Sequence, residues 1–499
     1  MIPIEFPPGV TNLASKNAKI SNWHDAHLIR WDNGKTMRPV GGWEFSVTGP
    51  FASRLRKMHR WDTNTGITLT AFLCERHCYV DLDGVLTDIT PVGGLVAPPL
   101  GAGGYGDYLY SADLYGTPRP GMSRMTLYTP IFSMGNWGEE LRVMTSPDGR
   151  YLGWKPSTPT VKLTAIAGAP TGNRSFLITP ERHAMLFAMN NTSVFGWSDE
   201  EDDTNWAFAD ITSRARYYDV YPKAPIITQQ QADFGILMFT STVSYVIEWA
   251  GLPYVYTYRP VGALSVPIGP ASICFTPDGV VWPSTDGWWI FDGVSAKTVK
   301  CDIWDRINDT IDITKARYMA CCVHLSSKGE VWWFYPSKNC PQGQNDSYAM
   351  WDYRSKLWSP GKLNRICGFV TTNDVFPLMS DGIKVYKHES GFTYSGAEMP
   401  WIESQNLSPN GGENWLTVNK ILPDVEGNPD ALRWRMVKTN FRNGYKTEVF
   451  SPQRKKNGSG YVDIRETARD MRLRMDMVEA NNWGTVGPIL FDSKMRGKK

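Results

Sequence analysis

"DGVVWPSTDGWWIFDG", Asp278 to Gly293, sets three tryptophans in two short aromatic runs bounded by Asp-Gly pairs. Asp-Gly supplies the positive-φ positions that tight turns need, so the stretch reads as strand, turn, strand, with Pro283 expected to end the first strand. The question it poses is what kind of fold gives three indoles to one hairpin. Working outward, the same grammar returns in "GEVWWFYPS" (Gly329 to Ser337), "YAMWDYRSKLWSP" (Tyr348 to Pro360) and "SDGIKVYKHESG" (Ser380 to Gly391). Short strands bounded by turns, recurring without helical periodicity between them, indicate antiparallel sheets arranged as blades or as a sandwich.

Composition agrees. The chain has 499 residues, 45 glycines, 34 prolines and 13% aromatic residues, which suits many short strands joined by tight turns. The net charge is only +2, so no global field draws the protein onto nucleic acid or an anionic membrane. The charge is unevenly spread, with +5 on Ser451 to Lys499 and −3 on the rest. No run of eighteen apolar residues occurs, and "MIPIEFPPGV" lacks the regions of a secretory signal, so neither a membrane-spanning segment nor export is expected. The eight cysteines are dispersed and read as reduced and mostly buried.

Motifs with chemical promise are each outweighed. "CERHC" (Cys74 to Cys78) offers two thiols and His77, but a structural zinc needs four ligands and no second close pair exists; on one strand, Cys74, Arg76 and Cys78 would share a face. His24 and His27 fall on opposite strand faces. "GAGGYG" (Gly101 to Gly106) matches a dinucleotide fingerprint formally, yet prolines precede it and no helix pattern follows, which leaves a Gly/Tyr loop. "SDEEDDTNW" (Ser198 to Trp206) lacks the alternation and central glycine of a calcium loop and reads as a turn, with Asp202 or Asp203 accepting backbone N–H bonds. A glycosidase would need paired carboxylates beside aromatic rings, and "SPDGRYLGW" (Ser146 to Trp154) only approaches the sialidase-type turn. No catalytic, metal or cofactor residue is assigned, and no enzyme is expected.

Several stretches, taken in order, carry a resemblance: "FPPGV" with "NWHDAHLIRWDNGKTMRPVGGW" (Asn22 to Trp43), "GAGGYGDYLYSADLYGTPRP", "NWGEELRVMTSPDGRYLGWKP" (Asn136 to Pro156), "ERHAMLFAMNNTSVFGWSDEEDDTNW" (Glu181 to Trp206), the opening stretch, and "YVDIRETARDMRLRM" (Tyr461 to Met475). The series resembles the β-propeller tail proteins of short-tailed bacteriophages, the packaged-DNA stabilisation and tail-nozzle group. Two departures are Ala468, where that group usually has glycine, and a shorter Gly/Tyr loop.

The resemblance implies an all-β virion protein, made in the host cytoplasm, that assembles as a homo-oligomeric, six-fold ring below portal and adaptor. The ring would continue the DNA channel, retain packaged DNA, take part in its ejection and meet other tail proteins or fibres. Double-stranded DNA would pass without sequence-specific binding. The expected architecture is a β-propeller of about six antiparallel blades over 51–450, an N-terminal arm over 1–50 that completes a blade, and closing strands with a basic tail over 451–499; truncation at Ser451 is then expected to cause aggregation. A ring built head to tail needs two unlike faces. The candidates are the Gly/Tyr stretch with Tyr105, Tyr108, Tyr110 and Tyr115, and an insertion-like loop with Tyr254, Tyr256, Tyr258 and Arg259. The basic cluster "RLRKMHR" (Arg54 to Arg60) suggests a transient DNA contact at Arg54, Arg56 and Lys57, with Arg54, Arg56 and Met58 on one strand face. The alternative reading is a glycan-binding or glycan-cleaving, depolymerase-like propeller.

Overall fold

A computed structural model of the chain describes residues 2–4, 6–11, 22–32, 34–47, 49, 51–96, 129–146, 148–340, 344–370, 376–407, 414–442, 445–479 and 484–497. The opening stretch forms the two central strands of one sheet, Gly279–Ser284 and Gly287–Phe291, paired from Val280 opposite Phe291 to Ser284 opposite Gly287. Pro283 sits inside the first strand, opposite Trp288, rather than ending it. The turn is Thr285-Asp286, and Asp286 accepts from the Trp289 indole at 3.0 Å. Gly279 is required where it stands: at φ +130° a Cβ would lie 2.3 Å from the Phe291 carbonyl oxygen.

Cys274–Thr276 inside and Ala296–Val299 outside complete a four-stranded antiparallel sheet. Among the described residues, seven such sheets follow one another in the chain. Their first strands are Leu55–Asp62, Phe132–Trp137, Ser175–Ile178, Ile226–Ala232, Cys274–Thr276, Cys321–Leu325 and Cys367–Phe369. The first of these strands packs against both the second and the last. The sheets therefore close a ring, and the protein is a seven-bladed β-propeller, where about six blades are expected. Imperfect spacing hides the count: blade 3 spreads over Ser175 to Asp219, whereas blade 5 needs only Cys274 to Val299.

Blade 7 closes the ring. Three of its strands come from Cys367–Phe369, Leu378–Ser380 and Val385–His388, and the outermost is Trp43–Val47, from the N-terminal side of blade 1. Joining the chain's start to its last blade removes the open edge a linear array of sheets would keep.

The remaining strands depart from the expected boundaries. Residues 401–450 do not extend the propeller, and the C-terminal strands do not close it. They build two further sheets. One runs Ile29–Asp32, Thr36–Pro39, Thr485–Arg496, Trp415–Glu426, Val462–Ala468, with Ile2–Ile4 on Thr485–Arg496; the other runs Trp23–His27, Trp401–Ser404, Met471–Met477, Leu432–Arg442, Tyr445–Phe450. The physical reason is length and alternation: Trp415–Glu426 and Thr485–Arg496 are twelve residues each, too long for a blade, and pair along almost their whole extent. Their inward side chains, Val418, Ile421, Ile489 and Phe491, share one cluster with Trp434, Met436, Leu473 and Met475 of the other sheet. This is a β-sandwich assembled from both ends of the chain.

That same cluster runs into blades 5 and 6, where the opening question is answered. Trp288 meets Trp304, Trp333 and Trp358 with ring centroids 5.3, 5.6 and 4.8 Å apart. Trp282 is buried and donates to the Ser265 carbonyl at 2.8 Å. Flat indoles wedge between neighbouring blades, and the N–H groups of Trp333 and Trp358 reach the carbonyls of Ser272 and Lys300 at 2.8 and 2.9 Å.

Sandwich and propeller are joined by polar contacts as well. Arg30 reaches Glu330 of blade 6 at 2.9 Å and Glu389, just after blade 7, at 2.7 Å, with all three side chains largely buried. The Tyr348 hydroxyl accepts from the Leu28 amide at 2.8 Å, and the Ser359 hydroxyl donates to the Ile29 carbonyl at 2.8 Å.

Candidate functional site

The innermost strands of blades 1, 2, 3, 4 and 6, with Ile273 and Ile366 just before those of blades 5 and 7, surround an axial cavity of about 350 Å³. Its wall carries Arg56 and Lys57 from blade 1, Ser133 from blade 2, Gln229, Gln230 and Gln231 from blade 4, and Cys321 and Cys322 from blade 6. One side is covered by a short helix, α1 (Ile313–Met319), which contributes Arg317, Tyr318 and Met319. The helix starts where Asp312 accepts from the Lys315 amide at 3.1 Å. A second cavity, of about 630 Å³, adjoins the first and shares Thr129, Pro270 and Arg317 with it.

Sequence pattern places Arg54, Arg56 and Met58 on one strand face; the structure does not. A bulge between Leu55 and Lys57 shifts the register, so Leu55 and Met58 enter the core while Arg56 and Lys57 both reach the axis. Arg56 is nearly buried and donates through Nε and Nη2 to Glu75 at 2.9 and 2.6 Å. Of the residues expected to touch passing DNA, Arg56 is paired with Glu75 and Lys57 lines the axial cavity. Arg54, half-buried, lies beside them, held below its ordinary pKa range by burial and by Arg56.

The candidate interface residues divide. Tyr105, Tyr108, Tyr110 and Tyr115, with the Gly/Tyr stretch, lie outside the described residues. Tyr254 to Arg259 belong not to an inserted loop but to the hairpin tip and outer strand, Val255–Gly262, of blade 4. Tyr254 is 67% exposed at the tip, beside Leu252 at 65% and Trp249 at 43%. Tyr256 is buried, its hydroxyl on Thr179 Oγ1 at 2.7 Å and Glu181 Oε2 at 3.0 Å. Tyr258 packs on Phe195, Tyr218 and Tyr245. Arg259 bonds Glu248 Oε1 at 2.8 Å and the Gly293 carbonyl at 2.7 Å, so it ties blade 4 to blade 5. Alternation alone would put the three tyrosines on one face; the split arises because Tyr254 lies in the hairpin turn, before the strand that begins at Val255.

Among the described residues, no group of three His, Cys, Asp or Glu side chains is placed to hold a metal ion, and no helix is long and apolar enough to cross a membrane. Cys74 and Cys78 are core residues on two consecutive strands, Thr68–Cys74 and Cys78–Leu82, and burial pushes both thiols well up. His77 lies in the turn between them and meets Ser53 Oγ at 3.1 Å. The acidic stretch forms the expected turn, with Asp202 accepting from the Thr204 amide at 2.9 Å. Its neighbour does something the sequence did not disclose: Asp203 is buried and takes Arg142 Nε from blade 2 at 2.6 Å and the Tyr151 hydroxyl at 3.2 Å. The only sequence signal was a run of five acids in a turn, and nothing marked which one turned inward.

A second surface feature is Tyr445–Phe450, the outermost strand of its sandwich sheet among the described residues, whose Val449 and Phe450 side chains are exposed. Arg435 lies 4.6 Å over the Phe450 ring.

No family model matches the chain and no curated protein matches it. Solved structures align with it at low similarity. A catalytically inactive virginiamycin B lyase from Staphylococcus aureus, with quinupristin, is 8% identical, with a TM-score of 0.40 over 69% of this chain and 97% of that one. The β-propeller domain of Cps50 (Swd1) from Myceliophteria thermophila is also 8% identical, at 0.40 over 69% and 99%. YCF48 with a bound peptide is 12% identical, at 0.39 over 70% and 99%. No function is carried over from them.

Proposed function

We propose that this chain is a structural subunit of a short-tailed phage tail, one of a six-fold nozzle ring that extends the DNA channel below portal and adaptor, retains packaged DNA and takes part in its ejection. The observation that best supports the reading is the presence of two unlike sticky surfaces on one subunit: the Trp249, Leu252, Tyr254 tip of blade 4 and the exposed Val449 and Phe450 of the outer sandwich strand. A head-to-tail ring of identical copies needs such a pair of different faces, and it closes when the rotation between neighbours matches the ring's symmetry. Exposed aromatic tips give contact area at low entropy cost, and the exposed Val449 and Phe450 of the outer sandwich strand add apolar area. In this reading DNA passes through the hole of the ring and not through the propeller axis, whose cavity holds a small molecule at most.

Mass photometry and negative-stain microscopy on the protein, alone and mixed with a portal and adaptor pair, test this. A ring of subunits around a pore is the expected result, and the paired substitution Trp249→Ser and Tyr254→Ser should weaken its assembly at least tenfold while leaving a folded monomer. A monomer that ignores the portal and adaptor overturns the reading, and glycan binding or cleavage by that monomer favours the depolymerase-like alternative.

A further inference from the structure

The axial cavity gathers positive charge without matching negative charge. Arg56, Lys57 and Arg317 stand in its wall, and no aspartate or glutamate does. Glu75 answers Arg56 from behind, through Nε and Nη2. The third nitrogen, Nη1, is left on the Met319 thioether sulfur at 3.1 Å, a weak acceptor for a charged donor. Lys57 and Arg317 have no carboxylate partner among the described residues. The local excess is felt nearby: besides burial, it is Arg56 that holds Arg54 below its ordinary range.

The neutral wall groups are of matching kind. Gln229 Oε1 already accepts from Ser175 Oγ at 2.8 Å, so its amide N–H groups are what remain for a guest. Gln230 donates to the Gln231 carbonyl at 3.0 Å, which leaves the Gln231 side chain beside it. Phe176, Ile273 and Ile366, all nearly fully buried, floor the space with apolar surface and lower its dielectric. Lys57 is half-buried there and Arg317 comes in from an exposed position on the helix, and a bound anion supplies the counter-charge that the cavity wall lacks.

We propose that the axial cavity is a binding site for a small polyanion, a compact molecule carrying phosphate or carboxylate groups, held by Lys57, Arg317 and the free edge of Arg56, with Gln229 and Gln231 donating. Lys57 and Arg56 come from blade 1, the glutamines from blade 4 across the axis, and Arg317 from α1. The guest therefore touches opposite sides of the ring and bridges them. The adjoining cavity that shares Arg317 provides the way in. This site is independent of the ring reading, since none of its residues lies on the blade 4 tip or the sandwich edge.

Isothermal titration calorimetry of the full chain at low ionic strength, with pyrophosphate in one arm and citrate in the other, tests it. The expected result is saturable one-to-one binding with a Kd below about 1 mM. Tighter binding of pyrophosphate identifies the guest as phosphate-bearing, and tighter binding of citrate as carboxylate-bearing. The pair Lys57→Met and Arg317→Gln should weaken binding at least tenfold; because neither residue has a carboxylate partner to lose, the melting temperature of that variant should stay near the parent's. Lys297→Met, on the outer strand of blade 5, should leave binding unchanged. Absence of saturable heat with both anions overturns the proposal, as does undiminished binding by the paired variant.

Discussion

Arg30 shows how much one side chain can hold. It is buried between Glu330 and Glu389, and its guanidinium is kept firmly charged even though burial opposes the charge. The two carboxyls respond differently. Burial lifts Glu330 above its usual range despite Arg30, whereas at Glu389 the attraction and hydrogen bonds of Arg30 overcome burial and hold the carboxyl low. Removing the cation leaves two acids facing each other in the interior. Arg30→Met should therefore cost about 3–5 kcal/mol, the range for breaking a buried ion pair from one side. The sign of its pH dependence follows: without Arg30 both folded-state carboxyl pKa values rise above the unfolded one, so the folded variant binds more protons and the deficit shrinks as pH falls from 8 to 5. Urea unfolding at those two pH values checks it, and a loss that is small or independent of pH would show that the triad does not hold sandwich to propeller.

At the scale of elements, the C-terminal strands were foreseen as closing an edge, and they do something else. Met471–Met477 and Thr485–Arg496 are central strands of the two sandwich sheets, each paired on both sides. Ending the chain at Phe450 therefore removes the middle of both sheets and bares Leu432, Trp434, Met436, Val418 and Ile421. Such a fragment should aggregate, as read by size-exclusion chromatography, while a soluble, cooperatively unfolding monomer would contradict the pairing. The sequence made the blades legible because Asp-Gly turns and aromatic alternation are local signals within twenty residues of one another. It hid the sandwich because strands such as Trp23–His27 and Trp401–Ser404 meet across more than 370 residues, and no local pattern records such a pairing. At the axis, Arg56 and Lys57 stood out as a charge cluster, but the bulge that turns both inward is a single-residue event that alternation cannot show. The blade 4 tyrosines were visible as a group, while their division between Tyr254 outside and Tyr256 inside depended on where the hairpin turned.

For the whole molecule the decisive quantity is how many protons folding excludes. Five histidines are held below their ordinary pKa, chiefly by burial: His27 and His59 down to about 4, His183 and His324 lowered, and His388 far below. His388 is the most exposed to consequence. Its Nε2 accepts from Arg365 Nε at 2.9 Å, and its ring stacks on Trp43, the first residue of the strand that closes the propeller. Burial itself pulls Arg365 down to about 10, and the guanidinium is held by the Tyr386 and Trp43 rings at 4.2 and 5.0 Å instead of by a carboxylate. A proton on His388 would face that guanidinium directly and lose the hydrogen bond it accepts. Between the unfolded histidine pKa near 6.5 and the depressed folded values, the unfolded chain binds more protons, so stability falls as pH falls, by about 1.4 kcal/mol per pH unit for each histidine fully withheld. The raised carboxyls Glu330 and Glu403 act in the opposite sense, but only near and above the ordinary carboxylate range. The melting temperature should thus decline steadily from pH 7 to pH 4.5, and His388→Gln, which retains a neutral acceptor for Arg365, should flatten the upper part of that decline. A profile that is level from pH 7 to 5, or one that His388→Gln leaves as steep as before, would place the acid sensitivity elsewhere than the ring's closing strand.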